Sequence, residues 1–399
     1  MTKRVRAAAL FLATLLFFSC QSAKKSRPQN LRLLFAGDIM AHTQNFNMAD
    51  YAAIWDDIKD EVGAADYSFA NLEAPVMESR PFESYPTFNM QPSYPQAALD
   101  AGFNLISLAN NHTNDQGTEG IKATAEWAKG VEKIAGSSPA MTPSSPAKVS
   151  FPRSDAGIFR PIYFSGLTED GQMSFRQFYW NEYKIVFIAV TELLNTWKNY
   201  EVVNYVPPTK KGRAAFVQKI AEMKEELAPD LFIVSVHTSE EEYVMTVLDS
   251  VKKFYHDLLD AGADIVVSNH PHVIRPVEFI GQKESKKIRK VIMYANGNTI
   301  SGQRRALNYE DPNEIWNWTG DGQIVELELA LDEQGFFALN YKITFITAYT
   351  PRGERSPVIK RLDENFIHSL AESGQKKDAK YYEARLLALK KIKEIYTWR

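Results

Sequence analysis

The chain runs to 399 residues, 45% of them hydrophobic and 12% aromatic, enough apolar material to bury a large core. Its net charge of −3 sets up no basic field, which excludes nucleic acid as a partner on electrostatic grounds. Cys20 is the sole cysteine, so an internal disulfide is ruled out, as suits an exported protein without thiol chemistry.

Lys3, Arg4 and Arg6 precede an apolar run at 7–18 that is too short to span a bilayer and suits a signal-peptide core. The run ends at Ser19-Cys20 in the manner of a bacterial lipobox, although Phe17 replaces the usual leucine; the alternative is an ordinary signal peptide with a chance cysteine. The expectation is acylation of Cys20 and a lipid anchor to membrane on the extracytoplasmic side of a bacterial cell envelope. Residues 1–20 thus read as signal peptide, 21–30 as polar tether, 31–355 as the main domain and 356–399 as a C-terminal helical extension.

The first strand is LRLLFAGD (31–38), closing on Asp38, and the second is YSFANLE (67–73), where a buried Glu73 would be costly without a cation. NLISLANNH (104–112) runs straight into Asn110-Asn111-His112, and a helix is expected over 118–131, before an exposed loop at 136–150. Another helix over 211–227 precedes the strand DLFIVSVH (230–237). A helix over 247–261 stops at Gly262, before the strand ADIVVSNHPH (263–272). This alternation argues α/β layering. Strands at 290–294, 323–331 and 336–348 lack intervening helices and suggest an antiparallel meander at one edge. Two amphipathic helices close the chain at 362–372 and 377–396. In the second, Leu386, Leu387, Leu389 and Ile392 form a stripe beside Lys390, Lys391 and Lys393, which suits packing against the domain or lying on anionic lipid.

Five of the seven histidines fall in four short runs, GDIMAH (37–42), NNH (110–112), VHT (236–238) and HPH (270–272), each following an apolar strand. One histidine at a strand end is ordinarily a hydrogen-bonded residue, but the recurrence argues for a shared centre. With Asp38, Glu73 and Asn111 they make the mixed nitrogen and oxygen set that suits Mn, Fe or Zn, in numbers sufficient for two ions sharing a carboxylate.

The order GD-x-M, ANLE, LANNH-x-x-D-x-G, a strand ending in His, GAD-x-V-V-x-x-HPHV and Y-x-x-GN (294–298) resembles the CapA family of poly-γ-glutamate capsule synthesis proteins, similar in fold to calcineurin-like metallophosphoesterases. The resemblance spans roughly 31–302 and implies an α/β fold, a four-layer α/β/β/α sandwich of two face-to-face sheets flanked by helices. It implies two divalent transition-metal ions held by Asp38, Glu73, Asn111, His237, His270 and His272, with His112 as general acid. His42, four residues after Asp38, is a further candidate ligand. The segment Thr238-Ser239-Glu240-Glu241-Glu242-Tyr243 departs from the family's H-W-G-x-E-Y, Arg275 replaces a common glutamine and adds positive charge near the site, and Thr299 stands where an aromatic often follows GN.

The implied activity is metal-dependent hydrolysis of phosphoesterase type, associated with capsule biosynthesis, on an anionic polymer or phosphoester substrate. The alternative is a non-catalytic cell-surface component that binds or exports an acidic polymer.

Overall fold

The computed structural model describes residues 30–135, 160–196, 198–282 and 287–398. The signal-peptide reading, the tether through residue 29 and the loop reading of 136–150 lie outside the described residues. The fold described below is that of the unit Leu31–Arg399.

Chain order begins with β1 (Leu31–Ile39), α1 (Thr43–Phe46), α2 (Lys59–Ala64), β2 (Tyr67–Leu72), α3 (Ser93–Asp100), β3 (Leu105–Ser107), α4 (Gly117–Ile134) and β4 (Tyr163–Ser165). It continues through β5 (Arg176–Trp180), β6 (Tyr183–Thr191), α5 (Lys210–Leu227), β7 (Leu231–His237), α6 (Asp249–Asp260) and β8 (Ile265–Asn269). The rest comprises β9 (Val277–Gln282), β10 (Lys287–Met293), β11 (Asn298–Ile300), α7 (Ile315–Trp318), β12 (Asp321–Asp332), β13 (Gly335–Tyr349), β14 (Val358–Arg361), α8 (Glu364–Glu372), α9 (Lys376–Glu394) and β15 (Thr397–Trp398).

Side-chain alternation along buried strands produces the layers. In β1, Leu31, Leu33 and Phe35 share a core with Ile185, Phe187, Ile233 and Val267 of the opposing sheet. Leu34 and Ala36 instead join Tyr94 and Ala98 of α3 and Ile121 of α4. On the far side Val186, Val234 and Val266 pack on Phe216 and Ile220 of α5 and Phe254 and Leu258 of α6. The layers therefore run helix, sheet, sheet, helix, as the resemblance implies.

Within the sheets, β4-β3-β2-β1 run parallel, as do β10-β8-β7-β6. The hairpin β12-β13 runs antiparallel beside β1 and reaches β10 through Ile288↔Ala338, joining the halves. One expectation needs correcting: the antiparallel strands β12 and β13 lie between β1 and β10 inside the strand order and not at an edge, and α7 intervenes before them, while β10 meets β13 antiparallel through one pair and runs parallel to β8.

The terminal helices pack back on the domain, with Tyr382, Leu386 and Leu389 against Phe345, Tyr349 and Val273. Leu387, assigned above to the apolar stripe, is 57% exposed, since it points away from the face that Leu386 and Leu389 bury. Arg385 is the residue α9 buries in its place, pairing with Asp321 at 2.7 Å and lying 3.8 Å above the Trp318 ring. Among the described residues no helix is long and apolar enough to cross a membrane.

Candidate metal centre

All the strand-end runs converge at the carboxyl ends of parallel strands, where α/β folds open a crevice. Asp38 lies near the end of β1, Glu73 follows β2, Asn111 and His112 follow β3, His237 ends β7, and His270 and His272 follow β8. Two glycines allow the backbones to meet there: a Cβ on Gly37 would fall 1.8 Å from the Gly297 carbonyl oxygen, and Gly297 itself has φ +69°. The Asp38 N–H donates to the Gly297 carbonyl at 3.0 Å, and the Gly37 N–H donates to Thr299 Oγ1 at 2.8 Å. Thr299, a departure from the family pattern, thus ties β1 to the 297–299 segment. His270 and His272 flank Pro271 with φ of 104° and 55°, and Tyr243, whose N–H donates to the Pro271 carbonyl, has φ 62°. Non-glycine residues in such conformations cost about 1–3 kcal/mol each, and such strain collects at functional sites.

Two buried groups have ligand atoms close enough to hold an ion, Asp38-Glu73-His237 and Glu73-His270-His272, and Glu73 is common to both. Its Oε1 lies 3.9 Å from His237 Nε2 and 3.6 Å from His272 Nε2, and has no hydrogen-bond partner. His270 Nδ1 is likewise buried and unpartnered. Asn111 Oδ1, the sixth expected ligand atom, lies 2.9 Å from His237 Nε2. Burial, and then repulsion by Asp38, pushes the Glu73 carboxyl well above its usual range. Burial, reinforced by the neighbouring imidazoles, pushes His237 and His270 well below theirs. For His272 burial also opposes the charge, but its hydrogen bond and attraction to Asp38 prevail and raise it. A dication stabilises both the ionised carboxylates and the neutral imidazoles, and the orphaned Glu73 and His270 atoms give it somewhere to bind; the residues fit metal.

Asparagines that the sequence left unassigned hold these groups. Asn71 Nδ2 donates to Asp38 Oδ1 at 2.8 Å and Glu73 Oε2 at 3.2 Å. Its place two residues before Glu73 on one strand face is the signal that would have found it. Asn298 Oδ1 accepts from His272 Nδ1 at 3.0 Å, while its amide nitrogen donates to Gln303 Oε1 and the Thr319 carbonyl. Nothing local marks Asn195, which donates to Asp115 and accepts from Asn111 across 84 residues.

His112 lies outside both groups. Its Nδ1 is 2.6 Å from Asp115 Oδ2 and 2.9 Å from Asn195 Nδ2, and the tautomer with the proton on Nδ1 is the one that donates to the carboxylate. Asp115 also accepts the Phe88 N–H at 2.8 Å, and the Phe88 ring meets the His112 ring edge-on at 4.7 Å. These contacts fix the imidazole.

His42 belongs to neither group, and its Nδ1 accepts the Gly302 N–H at 3.1 Å. Arg275 is buried against Glu240 and donates to the Val244 carbonyl at 2.8 Å, and its positive charge reaches the site as expected, helping to hold His270 down. The Thr238-Ser239 departure is anchored: the Ser239 N–H donates to Glu192 Oε2 at 3.3 Å, and Glu192 is itself paired with Arg213.

A helix-flanked double sheet with a buried nitrogen and oxygen donor cluster at its strand ends defines an α/β protein whose clustered side chains could hold a metal ion. The chain belongs to the bacterial capsule synthesis protein family PGA_cap, whose sequence profile matches residues 32–149 and 156–303. It is 25% identical over 278 residues to the PGA biosynthesis protein CapA of Bacillus subtilis (strain 168), covering 69% of this chain and 60% of that protein, less than two thirds of the relative's length. It is 22% identical over 359 residues to the capsule biosynthesis protein CapA of Bacillus anthracis, covering 86% of this chain and 74% of that protein. The structure of calcineurin-like phosphoesterase YfkN from Bacillus subtilis overlaps 89% of this chain and 100% of that one, with TM-score 0.41 and 12% identity. The family assignment rests on the sequence match.

Proposed function

We propose that the chain is a metal-dependent hydrolase of phosphoesterase type, acting on an anionic capsule polymer or a phosphoester. Asp38, Glu73, Asn111, His237, His270 and His272 hold two divalent ions of Mn, Fe or Zn type. The observation that carries this reading is the Glu73 carboxylate, shared by both donor groups with its Oε1 unpartnered. When bound, the ions supply Lewis acidity and neutralise charge on an anionic reacting group. The chain does the rest: Asn71 and Asn298 fix the ligands, and Asp115 orients His112 to pass a proton from Nε2 to the leaving group. We also place the chain on the extracytoplasmic side of a bacterial membrane, anchored through acylated Cys20; uptake of a labelled fatty acid by the wild type but not by Cys20→Ser tests this.

The hydrolase test is turnover of generic phosphomonoesters and phosphodiesters by metal-loaded protein, abolished by chelation and restored by metal. Two bound ions with no turnover, together with retention of an acidic polymer, would favour a non-catalytic binding component.

A further inference from the structure

We infer that Tyr243 and Trp316, which begin beside the candidate ligand His272, form a subsite for a ring attached to the anionic group of the substrate. The inference rests on the proposed metal centre and deepens it. The Tyr243 ring lies 6.0 Å from that of His272 and 4.8 Å from that of Trp316, so an aromatic surface begins beside a ligand and runs outward. Trp316 is 51% exposed, so the outer part of this surface is open to a ligand. On the His112 side, the Tyr85 ring, 70% exposed, lies 6.5 Å from that of Phe88, which meets His112 edge-on.

Tyr243 is built into position. Its N–H holds the Pro271 carbonyl at 2.9 Å, between the two ligand histidines, at the cost of a left-handed backbone. Arg275 secures the next residue through the Val244 carbonyl, and Glu240 accepts the Leu248 N–H at 2.8 Å. Gln303 Nε2 donates to the Tyr243 hydroxyl at 3.4 Å, while Gln303 Oε1 accepts from Asn298, the partner of His272. Exposed aromatic faces held rigidly beside a site for anions suit a flat or saturated ring, whose face they cover at little entropic cost. A sugar phosphate and a nucleoside monophosphate both present such a ring.

The test is calorimetric binding of phenylphosphonate and propylphosphonate to the metal-loaded full chain, which needs no turnover. Phenylphosphonate should bind roughly 10-fold tighter, ~1.4 kcal/mol. Tyr243→Ala and Trp316→Ala should each reduce that preference with metal content unchanged, and Tyr243→Phe should keep it. Equal wild-type affinities would overturn the subsite and leave the metal centre standing. Phenylphosphonate binding unchanged by chelation would overturn the metal centre and leave the subsite. Binding of neither would overturn both. Competition against phenylphosphonate by a hexose phosphate and by a nucleoside monophosphate then separates the two ring sources.

Discussion

Arg275 and Glu240 form an ion pair whose side chains are 1% and 4% exposed, so two separate departures from the family pattern are one device. Removing one partner leaves the other charged and buried, so Arg275→Gln and Glu240→Gln should each destabilise by about 3–5 kcal/mol. The double variant should lose clearly less than the sum. Denaturant unfolding of the four proteins reads the coupling; strict additivity would show that the pair does not act as a unit.

The purified domain should carry about two divalent transition-metal ions per chain. Glu73→Gln should strip both, because both donor groups need its carboxylate. Elemental analysis after desalting decides this, and a variant that keeps one full equivalent would contradict the sharing.

His112→Ala should retain its metal but lose about 100- to 10,000-fold in turnover. Asp115→Asn should lose part of that with metal content intact, since Asp115 orients the ring. His270→Ala should lose metal and activity together. Equal metal loss in all three variants would make His112 a ligand.

Burial first, then the charges of His272, His112 and Arg305, holds His42 down to about 3, against 6.5 when exposed. The unfolded chain therefore takes up this proton first. His42 contributes stability that is complete above about pH 6.5 and declines as pH falls toward 3, by at most ~1.4 kcal/mol per pH unit. His237 and His270 shift the same way in metal-free protein. His42→Gln, which keeps an acceptor for the Gly302 N–H, should flatten the acid slope of chelated protein. An unchanged slope in urea titrations between about pH 7 and about pH 5 would refute this assignment.

The strands were legible in the sequence because both their faces are buried, so β1, β7 and β8 read as unbroken apolar runs ending in polar residues. The long helices α4, α5 and α6 were legible from their periodicity. The bracing was not. Asn195 reads as a turn residue, and only the fold brings it to Asn111 across 84 positions. Glu240 and Arg275, 35 residues apart, likewise carry no local sign of each other. Leu387 was misread because a helical stripe of leucines leaves one residue's side undecided until its neighbour is known.

Arg385 grips Asp321 at the start of β12, and the Asp321 carbonyl sits against Gly297, beside the asparagine that steadies His272. Every candidate ligand therefore precedes α9 in the chain, yet the strand that seats them is held from α9. A fragment ending before α9 would keep the whole donor set and lose this anchor, so its metal affinity beside that of the full chain reads how much of the centre's geometry is set by the terminal helix and not by the donors alone.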